Sequence, residues 1–166
     1  DCWACSFLET VQQQNNDSRQ KEANKLVQKH WQEQGYDVWD VSENDKYFRL
    51  GIDLIRKIGD EEITIDVKCD FQAHNTGNVP LELAEIMPFN DKTFTPKLGW
   101  AYKESIKEIH YFIWETKEII PIALEKLKEI GFSKERRGYA SLHHKPIMYF
   151  TIGILIPIEE LKNNHY

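Results

Sequence analysis

The most regular pattern in the chain lies between Ile63 and Asp70, where apolar and polar residues alternate without a break. Ile63, Ile65, Val67 and Cys69 share one face, and Thr64, Asp66, Lys68 and Asp70 the other, the period of two expected of a half-buried strand. Residues 48–58 predict the preceding strand, in which Leu50, Ile52 and Leu54 point one way and Gly51, Asp53 and Ile55 the other. Upstream, Ser18 is positioned to cap a helix running to about Gln34, with Ala23, Leu26, Val27, His30 and Trp31 at helical spacing and Gly35 where a C-cap glycine belongs. Strands are predicted over 36–41, 79–86, 110–115 and 147–156, and an amphipathic helix over 120–130 that ends at Gly131. Pro157 stops the last strand, and a short helix follows over 158–163. The order α-β-β-β-(β)-β-α-β-α predicts a mixed α/β layer architecture. The polar residues 12–17 read as a flexible lead-in, giving an N-terminal tail over 1–17 and a single domain over 18–166.

The turn between the two central strands carries the most information. If Gly59-Asp60 is a two-residue hairpin loop, Ile58 faces Glu61. Counting back along both strands then sets Asp53 directly opposite Asp66, with Cβ atoms roughly 4.5–5.5 Å apart. Lys68 lies about 7 Å further along the Asp66 face. Asp53 is a charge within the apolar run Leu50-Gly51-Ile52-Asp53-Leu54-Ile55, and buried acids are rare unless paired or coordinating. Two facing carboxylates repel unless a cation holds them, and an oxygen-ligated divalent metal that keeps its waters fits the pair. Such a metal activates water and offsets phosphoryl charge, while a neighbouring ammonium stabilises the charge that develops in reaction. Glu22, early on the first helix, supplies a third carboxylate if that helix packs on the sheet.

Composition narrows the classes. With 21 Lys and Arg against 27 Asp and Glu, the net charge is −6, which excludes a histone-like cationic binder but not an enzyme that reaches nucleic acid through a local patch. No run of 18 apolar residues is present, so no membrane partner is expected. Three cysteines, Cys2, Cys5 and Cys69, argue against a disulfide scaffold and for a reducing, cytoplasmic compartment. Cys2-Trp3-Ala4-Cys5 has metal-knuckle spacing without a second pair. Asp1 at the start reads as a processed or truncated product.

Gly51-Ile52-Asp53, twelve residues, then Asp66-Val67-Lys68 resembles the PD-(D/E)xK nuclease superfamily, with Ile52 in place of the motif's proline. Glu22 on the first helix, followed by Gly35-Tyr36 and a strand, matches that superfamily's opening. The stretch from Asn78 to Leu83, Gly99-Trp100 and the strand at Tyr111-Phe112-Ile113 resembles phage and bacterial members of uncertain role. The resemblance covers roughly residues 18–130. It implies a restriction-endonuclease-like fold, a central mixed sheet flanked by helices, and Mg²⁺- or Mn²⁺-dependent cleavage of DNA. Carried over by position, Asp53 and Asp66 are the metal ligands, Lys68 the catalytic lysine and Glu22 the helix carboxylate, and Glu82 falls where some relatives place another acidic or amide residue. The alternative is a catalytically inactive binding module on the same fold, serving a phage or mobile element.

Lys134, Arg136, Arg137, His143, His144 and Lys145 form the one clearly basic stretch, and Arg136 and Arg137 suit a loop or hairpin that tracks a phosphate backbone. His74 follows the Asp66-Lys68 strand in a polar loop close to the site, and Lys103 closes the Gly99-Trp100-Ala101-Tyr102 segment after a Pro/Gly-punctuated loop. These residues are the expected substrate contacts. One site per chain implies two copies to cut both strands, so a homodimer is expected.

Overall fold

The computed structural model describes the backbone over residues 3–89, 93–141 and 149–164, and side chains over 15–86, 96–138 and 151–164. The first element, α1 (Trp3–Glu33), leads through Gly35 into β1 (Asp37–Asp40). Gly35 takes φ +88, and its N–H and that of Tyr36 bond back to Gln32 and Trp31 carbonyls, closing the helix as the sequence predicts. The start is a correction: the stretch over 12–17 is helical, so α1 takes in most of the expected tail. Polar residues such as Gln form helix readily, and only the missing apolar face made this segment read as a loop.

Five strands form a mixed sheet in the order β1-β2-β3-β6-β7, with β2 (Leu54–Ile58), β3 (Glu61–Asp70), β6 (Glu108–Ile113) and β7 (Glu118–Ala123). The pair β3/β6 is parallel and the other pairs are antiparallel. The central hairpin has the expected register: Ile58 faces Glu61 and Leu54 faces Ile65 across Gly59-Asp60, with Gly59 at φ +60. Glycine first in a two-residue loop fits a II′ turn, whose twist matches that of the strands.

The predicted strand over 48–58 is corrected in its first half. Residues Asp45–Leu50 form a short helix, α2, capped by Asn44, whose Oδ1 accepts from Lys46 N, and ended by Gly51 at φ +72. Gly51 N–H bonds to the Phe48 carbonyl, so a local cap signal outcompetes strand propensity. The helix expected over 120–130 is likewise corrected. Its first residues belong to β7, and only Leu124–Phe132 is helical (α4). The β-branched run Ile119-Ile120-Pro121-Ile122 suits a strand, and Pro121 is tolerated because β7 is an edge strand. Gly131 lies inside α4, where a Cβ would come 2.6 Å from Leu81 Cδ2, so its role is close packing rather than termination.

A second, antiparallel sheet, absent from the sequence reading, has the order β5-β4-β9-β8: β4 (Asn78–Phe89), β5 (Thr93–Leu98), β8 (Arg137–Ser141) and β9 (Tyr149–Pro157). A one-turn helix α3 (Ala73–Thr76) leads into β4, and α5 (Ile158–Lys162) follows β9. The fold is therefore mixed α/β with two sheets and five α-helices among the described residues, and none of these helices is long and apolar enough to cross a membrane.

Helix α1 covers one face of the mixed sheet through Ala23 and Val27 against Val38, Leu54, Ile65, Val67 and Phe112. The other face meets the second sheet, α4 and α5 through Ile109, Tyr111, Ile113, Leu81, Leu127 and Ile154. Strand β6 is buried along its whole length because it is covered on both sides. Under α1 lies a buried polar cluster. Arg56 Nη2 donates to Glu108 Oε1 at 2.8 Å, and its guanidinium stacks 3.9 Å from the Trp31 ring centroid. Trp31 Nε1–H donates to His110 Nδ1 at 3.3 Å, which leaves His110 Nε2–H to donate to Glu108 Oε2 at 2.8 Å. Burial lowers the pKa of His110, so the ring stays neutral in that tautomer.

Candidate active site

The candidate site sits where β2 has just begun and β3 runs on past it. Asp53 precedes β2 but is tied to both neighbouring strands: its N–H donates to the Ile65 carbonyl at 2.9 Å, and its carbonyl accepts from Val41 N at 2.8 Å. Because α2 has turned the chain away, the Val67 N–H donates to Asp53 Oδ2 instead, at 2.8 Å. These three bonds fix the carboxyl beside that of Asp66, which is 4% exposed and lies on the facing strand. Lys68, two residues on, brings Nζ to 2.8 Å from Asp66 Oδ2 and 5.1 Å from the Trp100 ring centroid. Apart from that ion pair, Asp66 Oδ2 is a buried oxygen without a hydrogen bond. Asp70, the next polar residue on this face, is occupied elsewhere, accepting from Gln72 N and Ala73 N to start α3.

Electrostatics mark the pair as strained in its ionised form. Burial pushes the Asp53 carboxyl up to about 7, and the adjacent Asp66 adds to the rise, against the Val67 N–H and Lys68. The two carboxyls are close enough to share a hydrogen bond. A buried oxygen without a hydrogen bond beside a carboxyl that resists ionisation is the donor set a hard divalent cation relieves, so the residues fit Mg²⁺ or Mn²⁺ with waters completing the shell. No cluster of three or more His, Cys, Asp or Glu that could hold a metal ion occurs among the described residues.

The acids open into a cleft of about 440 Å³, lined also by Gln20, Phe48, Gly51, Pro80, Trp100 and Lys103. Lys103 is brought in by a 3₁₀ turn over Trp100–Tyr102. Gly99 precedes that turn, and a Cβ there would collide with the backbone of Glu82 and Leu83, where β4 shifts register against β9. The close approach lets the Trp100 N–H reach Glu82. Burial raises the Glu82 pKa, and Glu85 adds to it, while Lys68, the Trp100 N–H and Lys103 oppose. Glu82 and Lys103 therefore belong to the same charged constellation as Asp53, Asp66 and Lys68. Lys103 Nζ packs against Gly51, where a side chain would collide with it and where φ is positive. Gly51→Ala is expected to destabilise the fold by about 1–2 kcal/mol and to displace Lys103. An unchanged melting temperature in that variant would count against this packing.

The remaining sequence candidates lie elsewhere. Glu22 is exposed and faces Lys117 Nζ at 3.9 Å; it is not among the residues lining the cleft. The α1 residue that enters the cleft is Gln20, whose Nε2 donates to the Val67 carbonyl at 2.8 Å and to Asn24 Oδ1 at 2.9 Å. Sequence reading missed Gln20, although it sits half a turn from Glu22 on the same predicted helix. His74 is exposed on α3 and lies outside the cleft lining, as do Arg136 and Arg137, which are exposed at the start of β8. His143, His144 and Lys145 fall outside the described residues, as do Cys2 and the Cys5 side chain.

No family model matches the chain, and no curated protein matches it. Among solved structures, a bacterial homing endonuclease, I-Ssp6803I, superposes with a TM-score of 0.52 at 14% identity, over 69% of this chain and 73% of that one. The two chains share a fold.

Proposed function

We propose that the cleft is the active site of a Mg²⁺- or Mn²⁺-dependent nuclease of the PD-(D/E)xK type that hydrolyses DNA phosphodiester bonds. The observation that carries this reading is the Asp53–Asp66 pair with Lys68 at ion-pair distance, in a cleft that adds Lys103, with Glu82 outside the lining but coupled electrostatically to both lysines. The likeness of fold to a bacterial homing endonuclease supports it. Asp53 and Asp66 would hold the cation, which would supply water activation and offset phosphoryl charge. Lys68, oriented by Asp66 and the Trp100 ring, holds the attacking water and stabilises charge on the scissile phosphate. Lys103 neutralises a neighbouring phosphate oxygen. Gln20 holds the backbone at Val67 by donating to its carbonyl, and the N–H of the same residue fixes Asp53. A single site of this kind cuts one strand, so duplex cleavage calls for two copies.

The test is cleavage of supercoiled and linear DNA with Mg²⁺ or Mn²⁺ by wild type, Asp66→Ala and Lys68→Ala. Lys68→Ala should lose about 10²–10³-fold in rate and Asp66→Ala should fall to background, both with an unchanged fold. Wild-type rates in both variants would refute the assignment. Metal-independent DNA binding without products from wild type would make the protein a binding module instead.

A further inference from the structure

At the mouth of the cleft Phe48 is 72% exposed, although its ring lines the same cavity as Asp53 and Asp66. It belongs to neither hydrophobic core, whereas the preceding Tyr47 packs against the larger one. The short helix that carries it is held at both ends, by Asn44 at the start and by the Gly51 N–H to the Phe48 carbonyl at the end. Arg49, the next residue in the chain, is exposed. A large apolar ring held in water at the mouth of a cleft that carries Lys68 and Lys103 is arranged for a ligand with flat faces and phosphates.

We infer that Phe48 is a base-stacking contact: its ring covers the face of an unpaired or unstacked DNA base next to the phosphate that Asp53 and Asp66 attend, while Arg49 holds a flanking phosphate. The inference rests on the nuclease reading of the cleft and adds a substrate feature to it, a base presented out of its stack. Stacking on one ring is tolerant of sequence, because every base has a π-face.

The experiment titrates a short single-stranded DNA oligonucleotide containing one 2-aminopurine into the full chain in CaCl₂, following anisotropy and base fluorescence. Phe48→Ala should weaken binding about tenfold or more, the loss of one stacked base, and should abolish 2-aminopurine quenching. Phe48→Trp should restore both, and Phe48→Leu neither. Arg49→Gln should lower the slope of log affinity against log salt by about one. Melting temperatures of all four variants should match wild type, since the ring is mostly exposed. Wild-type affinity in Phe48→Ala, full rescue by Phe48→Leu, or a lowered melting temperature that accounts for the loss would each overturn the stacking contact. Absence of oligonucleotide binding by wild type would overturn it as well. The nuclease reading is decided separately, by metal-dependent cleavage of duplex DNA.

Discussion

Asp53→Asn is expected to raise the melting temperature of the metal-free protein above neutral pH and to remove the stabilisation by Mn²⁺ that the proposed metal site entails. An ordinary aspartate titrates near 3.8, whereas burial, with Asp66 second, raises this carboxyl to about 7 in the fold. Below about 4 both folded and unfolded chains carry the proton, and Asp53 contributes nothing to stability. Between 4 and 7 the unfolded chain has lost the proton that the folded chain keeps, so stability falls as pH rises and stays low above 7. The full effect is on the order of 4 kcal/mol at most, an upper limit of roughly 10 °C for a chain of this size. An asparagine keeps the Val67 N–H bond through its carbonyl and donates to Asp66 through its amide, without a charge to bury. On the proposed reading the wild type should regain stability when a cation binds the ionised pair, in proportion to the logarithm of metal concentration over its dissociation constant. Scanning calorimetry at pH 5 and pH 8, with EDTA and with Mn²⁺, separates these effects. An Asp53→Asn protein no more stable than wild type at pH 8 in EDTA, or one that still responds to Mn²⁺, would refute a metal between the two strands.

Arg56→Met acts in the opposite direction, on the far face of the same sheet. Arg56 is 5% exposed, and two of its guanidinium nitrogens, Nε and Nη1, are buried without a hydrogen-bond partner; the third pairs with Glu108. Burial pushes the Glu108 carboxyl up, but the hydrogen bond from His110 and the charge and hydrogen bond of Arg56 outweigh it and hold the group below its ordinary value. Its contribution to stability is therefore present at neutral pH and is lost as pH falls through the acid range. Removing Arg56 leaves Glu108 ionised and buried with only a neutral His110 beside it, which costs about 3–5 kcal/mol. The melting temperature should fall by roughly 10 °C at pH 7, with Mn²⁺ affinity unchanged. Adding Glu108→Gln to the variant should recover part of the loss. Urea denaturation of the three proteins checks this, and a single variant within about 1 kcal/mol of wild type would show that the pair is not stabilising.

The contrast between these two clusters shows what could be read from the chain. Gly59-Asp60 is a local signal that sets a register, and the register places Asp53 against Asp66 over only fourteen positions of chain. Alternation along β3 then puts Lys68 on the same face, so the heart of the candidate site was legible before any fold was known. The Arg56–Glu108–His110 cluster was not, because Arg56 and Glu108 are 52 positions apart on strands separated by β3, and no local pattern tells that the polar face of β6 is covered as well as the apolar one. The amphipathic reading of 120–130 failed for another reason, since a β-branched run beside a real helix blurs the boundary between the two periods.

By itself, the sequence determined a mixed α/β chain, a two-residue turn, and the facing of Asp53 and Asp66 with Lys68 beside them. These depend on backbone geometry over a few residues, where turn chemistry and side-chain alternation dominate. Only the tertiary structure decided that Gln20 rather than Glu22 reaches the cleft, because a two-residue step along a helix turns a side chain by more than half a circle and docking angle chooses the face. Glu82 and Lys103 were candidates in the sequence, but it took the tertiary structure to bring Lys103 into the cleft lining and to couple Glu82 to it, through the approach of Gly99 to a bulged strand of a second sheet. That contact depends on how two sheets pack, a long-range outcome of burial that no local pattern encodes.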